Sequence, residues 1–273
     1  MNISTSSYYN YEKCRTNPSV DLLEQAAQTA FWRHKRRYGA RRLVAELRDE
    51  GFIVGRVRLR SIMQKNNLVA IQPKSFVPKT TKSHPHLKRS ANLLIDRDQA
   101  SRCDEVWVGD ITYIPLVGGD WAYLAVWLDL FSRFIVGWDI QMHMRDSLVI
   151  AAFDKAVQKR QPTQPLIVHS DGGGQYGSLN FRRRLAHQGY EQSMTRKNNH
   201  YDNAHAESLF SRFKAELLED GVFSDFEEAR MECFEYIEMY YNPIRRHSSL
   251  NNKSPLNFEK EWHKSNKSES STK

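Results

Sequence analysis

Residues 106–142 read VWVGDITYIPLVGGDWAYLAVWLDLFSRFIVGWDIQM, and this stretch decides the fold class. VWVGDITYIPL (106–116) alternates and is rich in β-branched and aromatic residues, the pattern of a strand. Gly118-Gly119-Asp120 marks a turn, and WAYLAVWLDL (121–130) is a second strand. Phe131-Ser132-Arg133 turns the chain again into a third, FIVGWDIQM (134–142), completing a meander.

Reading onward, 146–160 is a helix, and Pro162 and Pro165 bracket a loop. LIVHS (166–170) is a short buried strand, 178–188 a helix and YEQSM (190–194) a fifth strand. NAHAESLFSRFKAELLED (203–220) is an amphipathic helix with Ala206, Leu209, Phe210, Phe213 and Leu217 on one stripe. A further helix covers about 225–241. The order βββαβαβα predicts an α/β fold, a mixed sheet flanked by helices.

Reading backward, the character changes. Residues 72–92, QPKSFVPKTTKSHPHLKRSAN, hold three prolines, four lysines and one arginine with little apolar periodicity, as a basic linker does. Helices are expected at 21–37, 40–50 and 56–67. The third repeats Leu59, Ile62 and Met63 at helical spacing and carries Arg56, Arg58, Arg60 and Lys65 on its other sides. Three short helices ending in an arginine-studded one suggest a small all-α, helix-turn-helix-like domain. DNA phosphates attract such a surface; a solvated basic face of a helical bundle has the same composition.

Charge follows this division. The net charge is +8, and residues 1–100 hold 19 Lys+Arg against 8 Asp+Glu, leaving 21 against 24 for the rest. A basic half joined to a near-neutral half suits a polyanion-binding module on a catalytic body. The three cysteines, Cys14, Cys103 and Cys233, form no CxxC pair, which argues against a disulfide framework and a cysteine zinc site, and for a reducing compartment. No apolar run nears the roughly 18 residues of a membrane span, and the first residues lack a signal-peptide core. A cytoplasmic, nucleoid-associated protein without membrane partners is expected.

Three acids stand out by position. Asp110 lies inside an apolar strand, where a charge is costly unless it is paired or binds a cation. Asp171 closes LIVHS and is followed by Gly172-Gly173-Gly174, at a strand end where α/β sheets bind ligands. Glu207 lies early in the amphipathic helix, 35 residues intervening after Asp171. Asn203 suits the cap of that helix and thereby the positioning of Glu207. Three converging carboxylates repel one another unless hard cations join them, and oxygen-only donors suit Mg2+ or Mn2+, with two ions as the arrangement for phosphodiester chemistry.

The motifs WVGDITYI around Asp110, HSDGGGQYGS around Asp171, DNAHAESLFSRFK around Glu207 and YNPIRRHSSLNNKSP at 241–255 give the chain its resemblance. It resembles the insertion-sequence transposases with an integrase catalytic core, specifically the second-frame (OrfB-type) proteins of the insertion-sequence-three family. These form a branch of the retroviral-integrase and ribonuclease-H-like superfamily. The resemblance runs from YGARRLVAELRDEG (38–51) to SPLNF (254–258).

It implies a ribonuclease-H-like five-stranded core at 101–225. A helix-turn-helix-like region at 1–71 and a basic linker at 72–100 precede it, and a C-terminal helix and tail at 226–273 follow. It implies a DDE transposase in which Asp110, Asp171 and Glu207 bind metal and catalyse cleavage and joining of element ends. Lys214, seven residues and about 10 Å along the helix from Glu207, would hold a DNA phosphate. Arg56, Arg58, Arg60, Arg245 and Arg246 are further candidate DNA contacts, and His169 and Gln175 would support Asp171 or touch DNA. For 241–250, DNA-end contact and packing under the active site are both open.

The chain departs from the family in carrying Asn198 where relatives often have glycine, and in its triple glycine after Asp171. Lacking a leucine heptad, it reads as the downstream-frame half. Partners would then be DNA ends and target, the upstream-frame (OrfA) protein or a fusion with it, and further copies on DNA. Two other readings use the same residues. A nuclease of this fold would yield nicks without joining, and an inactive-core regulator would bind DNA and cut nothing.

Overall fold

Alternation along the first strand sorts its side chains onto two separate cores, as a period of two requires. β1 (Val106–Pro115) sends Val106, Val108 and Ile114 into one buried cluster and Trp107 into the other. β2 (Trp121–Asp129) and β3 (Ile135–Gln141) complete the antiparallel meander, with Tyr113 opposite Tyr123 and Trp127 opposite Gly137. β4 (Ile167–Ser170) and β5 (Glu191–Met194) run parallel to β1, giving the order β3-β2-β1-β4-β5. Parallel neighbours need crossovers, which α4 (Asp146–Arg160) and α5 (Leu179–Gln188) supply.

In this computed structural model the described residues are 18–72, 89–95, 97–196, 204–218 and 221–270, without the side chains of 18–21, 204–209 and 267–270. Most of the segment read as a linker, 73–88, lies outside them. The chain divides into two units, Met1–Gln72 and Pro73–Lys273.

In the larger unit, Leu148, Val149, Ala152 and Phe153 of α4 and Phe181 and Leu185 of α5 cover the face that receives Trp107. The opposite face receives Phe210, Phe213 and Leu217 of α6 (Ala204–Leu217). It also receives Ala229 and Cys233 of α7 (Phe226–Phe234), and Tyr236, Ile237 and Tyr241 beyond it. The sheet is therefore mixed, five-stranded and clothed by helices on both faces, the ribonuclease-H-like arrangement expected.

The smaller unit packs α1 (Pro18–Arg33), α2 (Ala40–Asp49) and α3 (Arg56–Lys65) around Leu23, Phe31, Leu43, Leu47, Leu59 and Ile62. His34 stacks on Tyr38 at 3.7 Å between ring centroids and meets Glu46 at 3.2 Å. Lys65 reaches Glu24 at 2.8 Å, tying α3 back to α1.

The helices differ from the sequence reading in three main ways. The first helix stops at Arg33 and not at 37, because Lys35 and Arg36 take left-handed backbone conformations that no helix continues. The helix expected over 225–241 widens into a π-helical turn over Glu235–Tyr241, where the Asn242 N–H reaches the Ile237 carbonyl five residues back. A helix the sequence reading missed, α8 (Pro255–Ser270), follows. Its start was legible: Ser254 sits at the cap and Pro255 at the first helical position.

Candidate catalytic centre

The two aspartates meet because of strand register. β1 and β4 are parallel neighbours with Val106 opposite Ile167 and Gly109 opposite Ser170. One step further along both strands stand Asp110 and Asp171, on backbones about 4.8 Å apart. Both charges act on the buried Tyr176 hydroxyl, which burial first and these two acids next push well above the usual tyrosine range. Gly109, just before Asp110, leaves room for the Trp127 ring of β2: a Cβ there would fall 2.5 Å from it.

Asp110 is half-buried, and its Oδ1 accepts from the Ile111 N–H at 2.9 Å. Asp171 opens the glycine turn, where the Gly173 N–H donates to its Oδ1 at 3.0 Å. A Cβ at Gly173 would stand 2.9 Å from that same oxygen, so the turn needs glycine to close on the carboxylate. Burial pushes the Asp171 carboxyl above its ordinary range, and the Gly173 hydrogen bond and the charge of Arg89 only partly offset this. A carboxylate that burial disfavours, next to a second one, is stabilised as an anion by a cation placed between them. Both offer oxygen alone, which fits a hard divalent ion.

α6 packs against β1, on the face carrying Val106 and Val108. Glu207 occupies the first turn of α6, three residues before the buried Phe210. The Glu207 side chain lies outside the described residues, as do Asn203 and Asn198. Lys214 follows in the last turn, half-buried.

The flanking residues sort by burial. His169 is buried on β4, with Nδ1 2.8 Å from the Ser193 hydroxyl, which also accepts from the Leu93 N–H. It supports the strand end from inside and is not a surface for DNA. Gln175 donates to the Met144 carbonyl at 2.9 Å, bracing the Asp171 turn against the approach to α4. Arg56, Arg58 and Arg60 are all exposed.

Arg245 corrects the sequence reading. Expected at DNA, it is 2% exposed and forks onto Glu216 of α6, with Nε and Nη2 at 2.6 and 2.7 Å. The Tyr236 hydroxyl donates to the same carboxylate at 2.9 Å, and His247 meets Arg245 Nη1 at 3.0 Å. A guanidinium so enclosed is committed to its carboxylate and cannot reach a phosphate. Asn242 nearby pins this segment to β3: its Oδ1 accepts from the Ile135 N–H and its Nδ2 donates to the Ile135 carbonyl. Part of YNPIRRHSSL is therefore packing that holds the helix bearing Glu207, the question the sequence left open. Arg246 differs in being half-buried, donating to the Asn252 carbonyl. Glu216 and Tyr236 were missed, and nothing in their local sequence marks them.

Comparison with known proteins identifies the family. Residues 19–76 match the HTH-like domain family, and residues 100–200 and 188–255 match two descriptions of the integrase core domain. The chain is 40% identical over 240 residues to the transposase for insertion sequence element IS904 of Lactococcus lactis, covering 88% of this chain and 94% of that protein. It is 35% identical to transposase InsF for insertion sequence IS3A of Escherichia coli K12, over 95% of this chain and 91% of the relative. Among solved structures it is similar to the HTLV-2 integrase catalytic core domain in complex with magnesium, at 17% identity and a TM-score of 0.42, covering 57% of this chain and 96% of that one. With a helix-turn-helix-like unit, an integrase core and relatives matched almost end to end, the chain belongs to the insertion-sequence-three family of DDE transposases, which carry out DNA transposition.

Proposed function

We propose that Asp110, Asp171 and Glu207 are the acids that hold two divalent ions and cut and join the ends of an insertion sequence. The observation that carries this is the register of β1 and β4, which sets Asp110 beside Asp171. Magnesium or manganese at these oxygens would supply Lewis acidity at the scissile phosphate. Water attacks a phosphodiester at the element's end, and the released 3′-hydroxyl then attacks a second phosphodiester. No covalent link to the protein forms, so the chain contributes positioning and charge.

Lys214 holds a phosphate near the reacting strand as a point charge. Arg246 makes a second contact, and Arg56, Arg58 and Arg60 neutralise backbone phosphates from the helical unit. The active assembly comprises several copies on paired DNA ends, with the upstream-frame protein or a fusion with it, in the cytoplasm at the nucleoid. No helix among the described residues is long and apolar enough to cross a membrane.

The test is a strand-joining assay with DNA carrying both element ends and magnesium or manganese, using the chain alone and fused to its upstream-frame protein. Joined products that vanish in Asp171→Asn and in chelator are expected. Nicks without joining would replace this reading with a nuclease, and DNA binding without either product with a regulator.

A further inference from the structure

Away from the catalytic aspartates, three side chains of different chemistry converge. Cys103 lies just before β1, and Glu259 and His263 lie one turn apart on α8. The Cys103 sulfur, a Glu259 carboxylate oxygen and a His263 ring nitrogen all fall within 4.8 Å of one another. Cys103 and Glu259 are buried and His263 is exposed. Thiolate, imidazole and carboxylate together are the donors of a borderline-soft cation and not of magnesium. In a tetrahedral zinc centre such donors stand about 3.5 Å apart, so binding draws the three side chains closer.

Charge around the three favours a cation. Glu259, Asp129 and Asp104 all face Cys103 with negative charge, and Arg160 alone opposes them. Arg160 is committed: it donates to Asp104 through Nε at 2.9 Å and to both Glu259 oxygens at 2.7 and 3.0 Å. Each carboxylate oxygen has two acceptor positions, so Glu259 can keep the guanidinium and still ligate. Asp129 is 0% exposed and accepts from the N–H groups of Asp104, Phe131 and Ser132. Arg133 also faces Asp129 with positive charge, so of the three carboxylates only Glu259 lies within reach of both Cys103 and His263.

We propose that Cys103, Glu259 and His263 form a zinc-class site that clips α8 to the segment entering β1. Binding exchanges the thiol proton for the metal: the S–H bond breaks, a metal–sulfur bond forms and one proton goes to solvent. Three protein donors leave one tetrahedral position for water. The clip reinforces the apolar seat of α8, where Phe131 packs on Phe258 and Trp262 at 5.2 and 5.7 Å between centroids. It is independent of the aspartate site, which contains no sulfur.

The test is cobalt(II) titration of the full chain after stripping with chelator and reductant. Expected are a thiolate-to-cobalt charge-transfer band saturating at one equivalent, tetrahedral visible bands and a raised melting temperature. Cys103→Ser abolishes the charge-transfer band. His263→Ala changes an exposed residue, so the fold survives, and it weakens binding at least about tenfold. Asp171→Asn and Cys233→Ser leave the band intact. Absence of any thiolate band, or an undiminished one in His263→Ala, would overturn the proposal.

Discussion

Arg56, Arg58 and Arg60 stand exposed on a ten-residue helix of the N-terminal unit, whereas Arg245 in the C-terminal segment is sealed against Glu216. As sequence the two stretches look alike, short basic runs beside apolar residues. As structure they do opposite things. The exposed arginines lose little hydration and remain available to phosphate. Arg245 has given up water, which is tolerable only because a bidentate carboxylate and neighbouring aromatic residues replace it. Arg160, half-buried, is likewise committed to Asp104 and Glu259. A basic cluster therefore indicates DNA only where the opposing elements leave it uncovered.

The strongest attack on this contrast is Arg245→Ala. It strands the buried Glu216 charge and is expected to cost about 3–5 kcal/mol in urea unfolding, while Arg245→Met with Glu216→Leu recovers much of that. A loss below about 1 kcal/mol would place Arg245 among surface pairs and erase the contrast.

The same distinction governs pH. Burial pushes Asp129 from 3.8 up to about 6, its hydrogen bonds with Ser132 and Asp104 opposing only in part. The folded value lies above the unfolded one, so between about pH 4 and 6 the folded protein binds more protons than the unfolded chain. Stability from this group must then fall as pH rises through that window, by roughly 3 kcal/mol in all, and stay flat above it. Urea midpoints of wild type and Asp129→Asn across pH 4–7 check this, since only wild type carries that slope.

Gly109→Ala probes close packing beside the aspartates. Its Cβ meets the Trp127 ring, and displacement of that ring should cost about 1–3 kcal/mol by thermal or urea unfolding. A neutral outcome would show slack in the sheet at the strand carrying Asp110.

The smallest stability effect belongs to the exposed side of the comparison. Arg56→Ala, Arg58→Ala and Arg60→Ala should each move stability by less than about 0.5 kcal/mol. Combined, they should weaken DNA binding and reduce the salt dependence of log K by about 1 per residue, read by fluorescence anisotropy. An unchanged salt slope would remove these arginines from the DNA interface.

How much was legible depended on the range of the signal. Asp110 was visible as a charge in an apolar strand, and Asp171 as an acid between a buried strand and three glycines. The meander was visible because alternation has a period of two over each strand. The π-helical turn over Glu235–Tyr241 was not, since an extra residue in one turn leaves an ordinary helical pattern on either side. Glu216 and Arg245 were not, because an acid near a helix end and an arginine in a loop are each ordinary alone. The corner where Cys103 meets Glu259 and His263 was not legible, because those neighbours lie on a helix at the far end of the chain.

The sequence by itself determined the order of the five strands and of the helices as far as Tyr241, the order and spacing of the three acids, and the family to which they belong. These are carried by short-range periodicity and by motifs a dozen residues long. Tertiary structure alone decided that Gly109 pairs with Ser170 and so brings Asp110 beside Asp171. It also decided that Arg245 is buried while Arg56 is not, and that Cys103, Glu259 and His263 share one corner. Burial and pairing are relations between residues distant along the chain, fixed by strand register and by which helix face meets which sheet face. A local window of sequence contains neither.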